Sequence, residues 1–100
     1  MKPRNMSEVI SGKRYRTEAS TLIAHDAYWD GHNFERHGRN TFLFRTPKGN
    51  LFAQRQTCRQ GKPDSIEPLD LDDAVKLFGE LHEKEIDFED AFPGVQIEDA

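Results

Sequence analysis

Histidines, a cysteine and a dense set of carboxylates are the residues through which this chain could do chemistry. His25, His32 and His37 fall within thirteen residues, with Asp26 and Asp30 beside them. Imidazole and carboxylate are zinc ligands, but short zinc motifs set histidines at helical or finger spacings. Six residues separate the first pair and four the second, and neither gap is such a motif. A basic, solvent-facing loop accounts for these residues, and no metal is expected. Asp70-Leu71-Asp72-Asp73 has the charge of a calcium loop. An EF-hand needs Gly at its sixth position, where this chain has Val75. Cys58 stands between Thr57 and Arg59. A neighbouring guanidinium favours the thiolate, yet nothing in the sequence pairs Cys58 with a base, as nucleophilic catalysis requires. Gly12-Lys13 lacks both the earlier Gly and the following Ser or Thr of a phosphate-binding P-loop. The expectation is a non-enzyme with no catalytic residue and no cofactor.

What remains is charge. Residues 1–62 carry twelve Lys or Arg and five Asp or Glu, a balance of +7. Residues 63–100 carry two Lys and thirteen Asp or Glu, a balance of −11. Such asymmetry has two readings. The halves can fold together and neutralise each other, or they can form opposed faces that attract charged partners. In the first half, Arg14, Arg16, Arg36, Arg39, Arg45, Lys48, Arg55, Arg59 and Lys62 are interleaved with aromatic residues. These include Tyr15, Tyr28, Trp29, Phe34, Phe42 and Phe44. Basic and aromatic residues on a small sheet bind single-stranded nucleic acid by stacking and phosphate attraction. The same aromatics are also what a core needs, and no RNP-type motif is present. In the second half, Asp70, Asp72 and Asp73 suffice to cap a helix. Glu80, Glu83, Glu85, Asp87, Glu89 and Asp90 are surplus to that task and suit a basic surface on a protein partner.

The candidate sites are therefore two. An acidic set comprises Glu80, Glu83, Asp87, Glu89 and Asp90. A loop and basic face comprises Trp29, His32, Phe34, Arg36, Arg39, Arg14, Arg16, Arg55 and Arg59. Trp, Tyr and Arg are enriched among interface hot spots, so the second set serves either a protein or a nucleic acid.

These sets need a frame. At 100 residues and 11.6 kDa the chain has room for about one domain. Mean hydropathy is −0.84, polar for a folded protein, but ten aromatics argue against disorder throughout. The longest apolar runs are three residues, too short for a transmembrane helix or a signal peptide. One cysteine excludes an internal disulfide framework, and a cytoplasmic protein is expected. Residues 1–11 lack periodicity and read as a flexible tail. Lys13–Ala19 alternates as a half-buried strand, and Leu22–Trp29 reads as a second strand. Residues 30–40 read as a long loop. Residues 41–46 and 51–58 form a hairpin about Pro47-Lys48-Gly49-Asn50, with Phe42 and Phe44 on one face. Ile66–Leu69 is a short strand kept to an edge by Pro68. Asp70–Lys84 is an amphipathic helix, with Leu71, Ala74, Val75, Leu77, Phe78 and Leu81 in an arc of roughly 160°. Ile86–Phe88 returns as a short strand or extended packing, Glu89–Phe92 forms a helical turn, and 95–100 is an acidic tail. The expected architecture is α+β, one domain over 12–94, an antiparallel meander-like sheet covered by one main helix.

Three stretches also carry a likeness. They are Gly12–Ser20, Leu43–Phe52, and Ile66–Leu69 leading to Asp73-Ala74. Together they resemble small accessory proteins of bacteria, their plasmids and their phages, over about residues 12–92. The shared motifs are structural and assign no catalytic residue. The resemblance implies a mobile-element or phage protein, of the kind that inhibits a host defence complex as anti-CRISPR proteins do. The function expected is occupation of a macromolecular surface. The alternative is nucleic-acid binding through the basic, aromatic sheet face and the 30–40 loop.

Overall fold

The computed structural model describes residues 3–26, 39–57 and 63–99. Seven strands and two helices follow in chain order. They are β1 Ser7–Ile10, β2 Lys13–Arg16, β3 Thr21–His25, β4 Arg39–Arg45, β5 Leu51–Thr57 and β6 Ser65–Leu69, then α1 Leu71–Glu80, β7 Glu83–Lys84 and α2 Phe88–Ala91. Five strands make one antiparallel sheet in the order β6-β5-β4-β3-β7. The run β3 to β6 is the expected meander. β1 and β2 form a separate two-stranded ribbon. The fold is α+β.

Alternation along the central strands gives the sheet two apolar faces. Ile23, Ala24 and Leu43 lie on one, packed with Ala74, Phe78, Leu81, Ala91 and Phe92 from the helical segment. A register slip between Leu22 and Ala24 brings Ile23 and Ala24 into the same cluster. Phe42, Phe44, Phe52 and Ile66 lie on the other face, covered by Tyr15 of the ribbon. Phe44 stacks on Phe52 at 5.1 Å, and Tyr15 meets Phe52 edge-on at 5.4 Å. The molecule is thus three layers: helices, sheet, ribbon.

The ribbon corrects the expectation of a flexible tail over 1–11. Residues 7–10 pair in register with 13–16 across a two-residue turn. Ser11 (φ +51°) and Gly12 (φ +78°) both take the left-handed conformation that a tight hairpin of this kind requires. Ile10 and Met6 pack against the aromatic cluster, while Thr17 Oγ1 receives the Met6 N–H at 2.8 Å. β2 alternates with Tyr15 and then Thr17 buried, but it ends at Arg16, short of the expected Ala19, which is exposed, and its partner is β1.

α1 is shorter than its apolar periodicity suggests. Asp70 caps it, accepting the Asp73 N–H at 2.8 Å. It ends at Glu80, with Leu81 already extended at ψ 126°. The last turn contains no basic residue. Lys84 supplies the missing cation from beyond the helix, its Nζ donating to the Phe78 and Leu81 carbonyls and lying over the Phe78 ring. The chain can reverse there because β3 has an open edge, which Glu83 and Lys84 join. His82 therefore lies past the helix and is exposed, and Leu71, assigned to the apolar arc, is 48% exposed. Of the two expectations for 86–88, no strand forms: Ile86 packs against the helix-side core, Asp87 precedes α2, and Phe88 opens it.

Candidate functional site

The acidic set is held on the helix side of the sheet. Phe78 meets Phe88 and Phe92 edge-on at 5.7 and 5.6 Å, and Phe88 lies 5.1 Å from Phe92. This cluster fastens α2 to α1. Arg45, reaching from β4, donates from Nη1 to the Asp90 and Ala91 carbonyls at 2.7 and 2.8 Å. A cation on those carbonyls also satisfies the short helix's unpaired C-terminal end. With Phe88, Ala91 and Phe92 turned inward, Glu89 and Asp90 are left in solvent. Asp87 occupies the N-cap of α2 without a side-chain capping bond. Glu80 closes α1, and Glu83 opens β7.

All five are exposed, and none takes part in an ion pair with another described residue. From Asp70 to Asp90 the chain carries nine carboxylates and two lysines, every one exposed. Of the nine, Asp70 is engaged as a cap and Glu85 receives His25 Nε2 at 2.9 Å. Lys84, one of the two cations, is turned onto backbone carbonyls. Among the described residues, no cation of the basic half forms an ion pair with Glu80, Glu83, Asp87, Glu89 or Asp90.

The basic set is divided. Arg14 and Arg16 stand exposed on the ribbon, on the far side of the sheet from the helices. Arg55 follows Leu51 and Ala53 on the helix-side alternation of β5. It pairs with Glu67 at 3.4 Å and reaches Thr41 Oγ1 at 3.4 Å, so it belongs to no common surface with Arg14 and Arg16. Arg39 opens β4; its side chain lies outside the described residues. Trp29, His32, Phe34, Arg36 and Arg59 also lie outside them, as does Cys58.

Of the aromatics expected on a nucleic-acid face, Tyr15, Phe42 and Phe44 are not on a surface, while Tyr28, Trp29 and Phe34 lie outside the described residues. Phe42 is 0%, Phe44 1% and Tyr15 6% exposed, because the ribbon lies over them. A base cannot stack on a ring that another layer covers. Toward the Arg39 end this face becomes polar. Asn40, Gln54 and Gln56 are buried there, with Asn40 opposite Gln56. Gln54 Nε2 donates to the Arg4 carbonyl at 2.8 Å, whereas Gln54 Oε1 and both polar atoms of the Gln56 amide have no partner among the described residues. The sequence places Gln54 and Gln56 on one face, but gives no sign that the ribbon's leading segment would cover that face.

Among the described residues no group of three or more His, Cys, Asp or Glu is gathered as a metal site. No helix among them is long and apolar enough to cross a membrane. Compared with known proteins, the chain matches no family model, no curated protein and no solved structure.

Proposed function

We propose that this chain is a non-enzymatic binding protein that works by occupying a basic surface on a protein partner. One observation carries the reading: Glu80, Glu83, Asp87, Glu89 and Asp90 are exposed, without ion pairs among the described residues, and mounted on elements locked by the Phe78–Phe88–Phe92 cluster and Arg45. Long-range attraction from such a face speeds encounter with a positive surface. Fixed backbone beneath the carboxylates lowers the ordering cost of docking. Surfaces that hold nucleic acid are basic, so a partner of that kind fits best. Within that class the resemblance to phage and mobile-element accessory proteins favours an inhibitor of a host defence complex, one that covers the partner's nucleic-acid-binding surface.

The test is quantitative capture from a lysate of the native cell, with wild-type chain and with a triple variant, Asp87→Lys, Glu89→Lys and Asp90→Lys, each at low and moderate salt. The expected result is a partner with a basic surface, held by the wild type, weakened by salt, and lost by a variant that melts within a few degrees of wild type. Equal capture by a variant with a clearly lower melting point would mean that these charges serve the fold.

A further inference from the structure

Three cations without an ion pair among the described residues, Lys13, Arg14 and Lys48, line one cleft elsewhere. A cleft of about 410 Å³ opens between the tip of the ribbon and the β4–β5 turn. Lys13 and Arg14 line it from the ribbon, Thr46, Lys48 and Asn50 from the turn, and Tyr15 contributes to its wall. No carboxylate is among the described residues that line it. We infer that this cleft is a phosphate-binding site.

Three features carry the inference. The first is the pairing pattern. Arg4 engages Asp64, Arg55 engages Glu67, and Arg45 and Lys84 engage backbone carbonyls. Lys13, Arg14 and Lys48 form no ion pair with a described residue, in a chain that has more carboxylates than cations. Among the described residues their side chains make one hydrogen bond, a long one, from Lys13 Nζ to Asn50 Oδ1 at 3.5 Å. Cations retained without counter-charges on facing walls attract an anion from solution.

The second is rigidity. Thr46 N donates to the Asn50 carbonyl at 2.8 Å, Gly49 N to the Thr46 carbonyl at 2.9 Å, and Asn50 N to Thr46 Oγ1 at 3.0 Å. Gly49, at φ +91°, closes that turn in a conformation that suits glycine. The ribbon tip opposite is a tight two-residue turn anchored by Tyr15 on Phe52. Both walls are therefore built before any ligand arrives.

The third is chemistry. Two ammonium groups act as point charges toward phosphate oxygens, and one guanidinium can grip two of them at once. The volume is within the range of small-ligand sites. By contrast a cleft of about 390 Å³ at the ribbon's other end is lined by both Arg16 and Glu18, and has no such excess. A phosphate can reach the site on a small polyphosphate or on a nucleic-acid backbone. The site needs no protein partner, so it stands or falls separately from the acidic face.

The experiment titrates the full chain with inorganic pyrophosphate by calorimetry and with a labelled oligothymidylate by polarisation, both at low salt. The variants are Lys13→Gln with Lys48→Gln, Lys13→Arg with Lys48→Arg, and Lys76→Gln as a control for loss of one charge on the helix side. Affinity for at least one probe is expected to fall about tenfold or more in the glutamine pair, to persist in the arginine pair, and to be unmoved by Lys76→Gln. Loss confined to pyrophosphate identifies a small polyphosphate ligand; loss confined to the oligonucleotide identifies the backbone source. Absence of binding by either probe, or equal weakening by Lys76→Gln, overturns the assignment.

Discussion

Tyr15→Ala is the most direct trial of the three-layer fold. Tyr15 is 6% exposed and meets Phe52 edge-on at 5.4 Å, beneath which Phe52 stacks on Phe44. A buried aromatic side chain removes about 150–250 Å² from water. At about 25 cal/mol per Å² that corresponds to roughly 4–6 kcal/mol before relaxation, and measured aromatic-to-alanine costs are about 3–5 kcal/mol. For a domain of this size each kcal/mol moves the melting point by about 4–8 °C. A drop of at least about 12 °C is therefore expected, followed by circular dichroism on heating. Val9, on the same ribbon but 58% exposed, is the internal comparison. Val9→Ala should cost less than about 0.5 kcal/mol, as surface changes do. If the two variants melt together within about 2 °C of wild type, the ribbon does not cover the sheet and the aromatic face is open after all.

Arg45→Ala removes two charge-assisted bonds to the α2 carbonyls. A loss of about 1.5–3 kcal/mol is expected, with hydrogen exchange rising first in residues 88–92. Lys84→Met keeps an unbranched apolar side chain but removes the cation from over the Phe78 ring and from the end of α1. A loss of about 1–2 kcal/mol in urea denaturation checks it. Gln56→Leu replaces a buried amide whose two polar atoms have no partner among the described residues. It should leave stability unchanged or raise it by about 1 kcal/mol, whereas a clear loss would mean that water or a ligand satisfies the amide.

The hairpin, the edge strand and the start of α1 are legible because each rests on local chemistry. Pro47 and Gly49 fix a turn, Pro68 confines β6 to an edge, and Asp70 caps a helix. What is not legible depends on partners distant in sequence. β1 offers only Ile10 to the core, so no alternation marks it; its pairing comes from the Ser11-Gly12 turn and from the need to cover Phe42, Phe44 and Phe52. The end of α1 is set by an open edge on β3, sixty residues from the Glu85 contact that follows it. The same limit applies to the sites. The five acidic candidates sit together because α1, β7 and α2 are consecutive. The basic candidates do not, since Arg14 and Arg55 reach different layers. The cleft joining Lys13 to Lys48 follows only from the ribbon's seat on the sheet, a contact across more than thirty residues.

The layers also explain why the charge asymmetry persists in the folded molecule. A sheet buried on both faces keeps its two coverings apart, so the acidic helices cannot close on the cationic ribbon. Within each layer the local bonds are already made: Arg45 and Lys84 hold backbone carbonyls, and Arg55 takes Glu67 from the neighbouring strand. With a Debye length of about 8 Å at physiological ionic strength, charges on opposite sides of the sheet scarcely feel each other through solvent. Stacked β layers, as the ribbon and the sheet are, lie about 10 Å apart, and the helices add a further layer on the other face. Ion pairs between the halves are confined to a few places, Arg4 with Asp64, Arg55 with Glu67 and His25 with Glu85, and none of them reaches Glu80, Glu83, Asp87, Glu89 or Asp90 among the described residues. If the acidic face and the basic cleft bind as proposed, their ligands are independent, and reversing the charge of one should leave the affinity of the other unchanged.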